Sequence, residues 1–282
     1  MKKRRLPVPP MILFLFILIG IIAVVAMLAP VMYPVDLGAT NLIKRLKPPS
    51  IFGASDSGFL LGTDYLGRDV WIRLLYATRT TLSTAVTGLA FAACLGIQLG
   101  VSAGLFGGFI DDFVNFMVSA RNSIPELVIG LLVATIFGSD QKTMIILIGC
   151  VKWSGFARQS RAMTLQIRNE NYIACSRAMG ASSFRIIKEH ILRNIASPLI
   201  VTATTNLSGT IMMESSLSFL GLGIQPPMTS LGLMVANGRD YILTHWYLPI
   251  IPSLMIVVIV LSVSLIGDWL RDKLDPKNHG RS

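Results

Sequence analysis

Apolar runs long enough to cross a bilayer alternate with short polar segments along this chain. The first is uncharged from Met11 to Tyr33, more than the roughly 20 residues that span hydrocarbon, and it predicts a first transmembrane helix. Runs at about 80–110, 113–137, 143–156, 197–220 and 247–266 predict five more, the fourth interrupted by Lys152. The basic start Met1-Lys2-Lys3-Arg4-Arg5 also suits a signal peptide, but the unbroken length and the lack of an A-x-A-like cleavage site predict a retained span. In the second run small residues recur every four positions, at Thr84, Gly88, Ala92, Gly96, Gly100, Gly104 and Gly108. Such a ridge predicts close approach by another helix, because no hydrophobic effect drives helices together in lipid.

Between the fourth and fifth runs, Glu170 to Leu192 is too charged to cross. A helix over Tyr172–Met179 should stop at Gly180, the residue best suited to a left-handed C-terminal stop. Ser182 should cap a second short helix beginning near Phe184. In that second helix Phe184, Ile187, Ile191 and, one step round, Ile186 make an apolar stripe, with Arg185, Lys188, Glu189 and Arg193 largely off it. One face is predicted to rest on the protein and the other to meet a partner.

Composition agrees with the runs. With 52% hydrophobic residues, 14% charged and a mean hydropathy of +0.63 over 282 residues, the chain is a multi-pass integral membrane protein. A net charge of +10 would suggest nucleic acid for a soluble chain, so its placement decides the partner. Lysine and arginine are in excess on one side if both termini are inside, which predicts a cytoplasmic tail at 1–10, a first span at 11–33 and an external loop at 34–78. A five-helix core at 79–270 would then carry a cytoplasmic loop at 158–195, and a cytoplasmic tail at 271–282 would follow. The charge therefore reports topology, and no nucleic-acid partner is expected.

No catalytic signature is present. There is no G-x-x-x-x-G-K-[ST] loop and no H-E-x-x-H. His190, His245 and His279 are scattered, and Cys94, Cys150 and Cys175 show no C-x-x-C pairing. No catalytic residue, metal site or cofactor is expected in this chain, so uphill transport would need an outside motor or an ion gradient. Ionisable residues within predicted spans are Arg121 and Glu126 in the third, Lys152 in the fourth and Glu214 in the fifth. Arg121 and Glu126 lie about 140° apart round an ideal helix and cannot pair along it, although Pro125 between them allows a kink that would change this. Each of the four has two readings, pairing with neighbouring helices or facing a polar pathway. For Lys152, placed nearer an end and able to snorkel, pairing with a neighbour rather than facing the pathway is the expectation.

From Leu61 to Pro276 the chain resembles the second (C-type) permease subunit of dipeptide, oligopeptide and nickel ABC importers. The resemblance rests on Gly62-Thr63-Asp64 with Leu66-Gly67-Arg68-Asp69, on Ser216-Leu217-Ser218-Phe219-Leu220-Gly221-Leu222-Gly223 with Gln225-Pro226-Pro227, and on Gly267-Asp268, Leu270-Arg271-Asp272 and Leu274-Asp275-Pro276. It implies an all-α fold of six transmembrane helices, the type I importer permease fold, in a bacterial cytoplasmic membrane. The stretch around Gly180 resembles the family's cytoplasmic EAA loop, which docks on ATPase subunits. That implies coupling roles for Tyr172, Ala174, Arg177, Ala178, Gly180, Ala181, Ser182 and Phe184. Ala174 stands where the family usually has an acidic residue, and Arg193 where it has proline.

The resemblance further implies a homologous second permease, two cytoplasmic ATPases that hold ATP and magnesium, and an external binding protein. Cargo would be peptide, or alternatively nickel or a metal chelate. A remoter alternative is an ion-coupled secondary transporter. The family usually has apolar residues before the third-span proline, whereas this chain reads Arg121-Asn122-Ser123-Ile124-Pro125-Glu126. Arg121, Asn122, Glu126 and Glu214 are the pathway candidates, and Arg121 with Asn122 would favour cargo bearing carboxylates.

Overall fold

A computed structural model describes residues 9–52 and 58–274. The expected tails lie in part outside these residues, including Lys2 to Arg5 and the Asp275-Pro276 end of the last motif. Ten helices are described: α1 (Pro10–Met32), α2 (Val70–Phe106), α3 (Gly108–Asn122), α4 (Glu126–Phe137), α5 (Gln141–Ile167), α6 (Asn171–Ala178), α7 (Ser183–Ile186), α8 (Leu192–Phe219), α9 (Leu231–Gly238) and α10 (Tyr247–Leu274). A π-helical segment, Ile187–Ile191, joins α7 to α8. Among the described residues there is no strand beyond an isolated bridge between Thr63 and Asp69.

The helix limits differ from the sequence expectation in physically simple ways. Helix α2 starts at Val70, inside the stretch expected to be loop, because the Asp69 carboxylate accepts the Trp71 N–H at 2.8 Å and caps it. It ends at Phe106 rather than continuing to Ile110, broken at Gly107. The expected third span is two helices, α3 and α4, bent by 87° at Ser123-Ile124-Pro125. Helix α5 passes through Lys152 and runs on to Ile167, well past Phe156. The second helix of the charged stretch is not short, since α7, the π segment and α8 follow without a gap.

Three of these helices, α1, α2 and α10, are long and apolar enough to cross a membrane, and the bent α3–α4 pair would make a fourth if counted as one span. Helices α5 and α8 reach 27 and 28 residues, but hydroxyls, amides and charges lower their hydropathy.

The chain divides into two compact units, residues 1–83 with 211–269, and residues 84–210 with 270–282. In the first, the connection after α1 is held by side chain to backbone bonds. Asp64 accepts the Leu66 and Arg68 N–H groups at 2.9 and 3.0 Å and pairs with Arg68 Nε at 2.8 Å. Tyr247 OH donates to the carbonyl of Lys47 at 3.0 Å, which ties α10 to this connection.

In the second unit the small-residue ridge of α2 meets α5. A Cβ at Gly88, Gly96 or Gly100 would fall 2.8, 2.3 or 2.2 Å from Ile148, the Trp153 carbonyl or the Ala157 carbonyl, so only glycine permits this approach. The ridge ends at Gly104, packed on Thr164; Gly108, past the break, meets nothing. A core of Leu89, Ala92, Phe156, Ile173, Ile186, Ile191, Ile195 and Leu199 then pins the charged stretch to α2, α5 and α8.

Candidate functional site

Two sites are built in the second unit, one at the α6–α7 turn and one at the α3–α4 break. At the turn, Gly180 adopts φ +82°. Its N–H donates to the Arg177 carbonyl at 2.9 Å, and the Ala181 N–H to the Ser176 carbonyl at 3.0 Å. These are the paired bonds of a Schellman stop, which a glycine completes without a Cβ penalty. Ser182 Oγ then accepts the Arg185 N–H at 3.3 Å, as its capping position predicts.

Ile173, Ile186 and Ile191 are fully buried beneath this turn, and Ile187 packs partly against the same core. Phe184 is not part of the buried stripe, contrary to the periodicity. It is 74% exposed, and Met179 is 81% exposed. The π segment adds residues to the turn and lets Ile186 and Ile191, five apart, share the buried face. Ala174, Arg177, Ala178, Gly180 and Ser182 are exposed, and Ala181 is partly covered.

Tyr172 is braced from below, its ring 5.7 Å from that of His190 and its hydroxyl 3.4 Å from Asn194 Nδ2. His190 Nε2 also lies 3.3 Å from Ser176 Oγ. The turn is thus anchored by buried isoleucines on one side and presents exposed methionine and phenylalanine on the other. Sequence reading missed Met179, whose only signal was its place just before the glycine.

At the break, the kink at Pro125 brings together what an ideal helix keeps apart. Glu126 Oε1 lies 3.1 Å from Arg121 Nη2, and Oε2 lies 2.6 Å from Lys152 Nζ. Asn122 Oδ1 accepts from Ser154 Oγ at 3.1 Å. Lys152 therefore pairs with Glu126 of the neighbouring helix α4, the reading expected for it. The signal for this was a lone cation in the fourth run opposite a lone carboxylate in the third. Asn122, Ser123, Ile124 and Pro125 are exposed.

The other candidate, Glu214, is in the first unit and is fully buried. Ser218 Oγ donates to it at 2.8 Å, Ser215 Oγ lies 3.4 Å away, and the hydroxyls of Thr81 and Ser230 also bond it. Among the described residues, no three His, Cys, Asp or Glu side chains converge as a metal site.

The family described as binding-protein-dependent transport system inner membrane component matches residues 96–280. The dipeptide transport system permease protein DppC of Haemophilus influenzae is 33% identical over 261 residues, 93% of this chain and 88% of that protein. The di/tripeptide transport system permease protein DppC of Pseudomonas aeruginosa is 35% identical over 252 residues, 89% of this chain and 83% of that protein. Among solved structures, a chain of the inward-facing MetNI methionine ABC transporter aligns with a TM-score of 0.54 and 19% identity, covering 73% of this chain and 97% of that one. This last likeness shows a shared fold.

Proposed function

This chain belongs to the family of binding-protein-dependent transport system inner membrane components, and on that premise we propose that it is one of two permease subunits in an ATP-driven peptide importer. The observation that carries the reading is the α6–α7 turn, a rigid, apolar-faced knob in a chain with no phosphate-binding loop of its own, in a family whose relatives include dipeptide permeases. Peptide is preferred to nickel or a metal chelate because those relatives' names specify peptides.

In this reading the chain crosses a bacterial cytoplasmic membrane six times, with the bent α3–α4 pair as the third span, α5 as the fourth and α8 as the fifth. Both tails and the loop at 158–195 are cytoplasmic, and residues 34 to 69 are external. The paired permease supplies the other half of the pathway, an external binding protein delivers cargo, and two cytoplasmic ATPases hold ATP and magnesium. This subunit performs no covalent chemistry. Tyr172, Ala174, Arg177, Ala178, Met179, Gly180, Ala181, Ser182 and Phe184 meet an ATPase, and Ala174 does so without the usual ion pair. ATPase closure pushes the turn, and because α7 continues into α8, the push is transmitted along that helix. Coupling is the differential binding of two global states. Arg121, Asn122 and Glu126 line the pathway, whereas Glu214 braces α2, α8 and α9.

The test is Gly180→Asp in the full complex. A Cβ there meets nothing within 4 Å, but an L side chain at positive φ is strained by about 1–2 kcal/mol. Folding should survive while ATP-driven uptake falls about tenfold or more and ATPase co-purification weakens. Normal uptake and association in that variant would sink the docking assignment. Purification without ATPases together with gradient-driven uptake would sink the importer itself.

A further inference from the structure

The cluster at the α3–α4 break holds two cations and one carboxylate, and no second acidic side chain pairs with Arg121 or Lys152 among the described residues. It is left with a surplus positive charge. The Arg121 and Lys152 side chains are only 12% and 14% exposed, while Glu126 is 40% exposed. The cluster therefore opens on the side its carboxylate occupies. Donor capacity is also left over. A guanidinium offers five N–H groups and an ammonium three. Glu126 takes one from each, Asn122 a weak one at 3.5 Å, and Arg121 Nε is buried without an acceptor.

Depth makes the surplus consequential. Helix α3 has 15 residues, which sets Arg121 about 20 Å from its start; with α3–α4 as the third span of the reading above, that is well into hydrocarbon about 30 Å thick. Non-helical backbone such as Ser123 to Pro125 is tolerated at that depth only against protein or water. An unmatched cation there is costly unless something supplies the missing negative charge.

We propose that Arg121 and Lys152 form a binding site for a cargo carboxylate, such as the free C-terminus of a small peptide, and that Glu126 occupies it as a tethered stand-in until cargo displaces it. This rests on the importer reading above. Glu126 is the first residue of α4, immediately after Pro125, so its side chain can swing out without unwinding a helix. Its departure removes the ion pair that spans the 87° bend and frees α4 from α3, so the arrival of cargo is felt as a change in the broken span.

The test is chemical rescue in the reconstituted complex. Glu126→Ala vacates the site, and sodium acetate, against sodium chloride at equal ionic strength, should raise its unfolding midpoint by at least about 2 °C. No such rise is expected in the unchanged chain or when Arg121→Gln and Lys152→Met are added. If Glu126→Ala fails to fold, Glu126→Gln serves in the same measurement. A folded variant indifferent to acetate overturns the site.

The second arm is uptake of dialanine against its C-terminal amide, with one binding protein throughout. The preference for the acid, expected to be about tenfold, should fall to threefold or less in Arg121→Gln. Acetate rescue with an unchanged acid-to-amide ratio overturns displacement by cargo. Acetate rescue with no uptake of either peptide, even by the unchanged chain, leaves the carboxylate site standing and sinks the peptide reading.

Discussion

Glu214 and Glu126 are both carboxylates in helices that the six-span reading puts in the membrane, yet their surroundings are opposites. Glu214 has no exposed surface and is met by hydroxyls from α2, α8 and the cap of α9, with no cation paired to it among the described residues. Glu126 is 40% exposed and is met by two cations. A carboxylate whose lone pairs are filled by uncharged donors from several elements is closed and acts as a clasp. One that is over-matched by cations, and open on one side, is exchangeable. The same residue type therefore reads as architecture in one region and as a binding element in the other.

The largest test of that contrast is Glu214→Ala. It leaves the Ser218, Thr81 and Ser230 hydroxyls without their acceptor and opens a cavity, and should cost about 3 kcal/mol or more, read as a fall in the unfolding midpoint of the complex. Glu214→Gln keeps an acceptor oxygen and should cost about 1 kcal/mol. Uptake per folded complex should be little changed in either. A Glu214→Ala variant of normal stability that no longer transports would move Glu214 into the pathway and break the comparison.

The next test is an asymmetry within the charged cluster. Glu126→Gln sets two cations against each other and should cost about 2 kcal/mol, discounted from the fully buried case because the carboxylate is partly exposed. Arg121→Leu or Lys152→Met leaves a one-to-one pair and should cost about 1 kcal/mol or less. Thermal denaturation of the three variants gives the order directly. Arg121→Leu should also reduce uptake of carboxylate cargo, and unchanged uptake for every cargo tried would remove Arg121 from the pathway.

What the sequence disclosed follows the range of the interactions. Gly180 and Ser182 act within a few residues, so both the stop and the cap were legible, as was the ridge from Thr84 to Gly104. Phe184 was misplaced because a periodicity of 3.6 cannot foresee the π segment that lets Ile186 and Ile191 share a face. Pro125 announced a kink, but its 87° depends on how α3 and α4 each pack on α5. Lys152 finds Glu126 across 26 residues of sequence, a pairing that no local rule supplies. The clasp at Glu214 drew on Thr81 and Ser230, both outside its own helix and equally beyond any local rule.

The smallest effect belongs to a third carboxylate that extends the comparison to open water. Asp140 caps α5 by accepting the Thr143 N–H at 2.6 Å. That backbone bond, with the Thr143 hydroxyl next in weight, holds its pKa below the ordinary 3.8. A depressed carboxylate contributes stability above its unfolded pKa and loses it as the pH falls through the lower folded value. The cap should therefore help at pH 7 and fade below about pH 4. Solvent screens the group fully, so Asp140→Ala should lower the unfolding midpoint by about 1 °C at neutral pH, and the gap from the unchanged chain should close in acid. Asp140→Asn keeps a capping oxygen without the titration and should hold its midpoint relative to Asp140→Ala at every pH. If the Asp140→Ala gap instead widened in acid, charge rather than capping would be at work there. The series from hydroxyl-bound Glu214 through cation-bound Glu126 to water-exposed Asp140 would then no longer rank by how completely each carboxylate is enclosed.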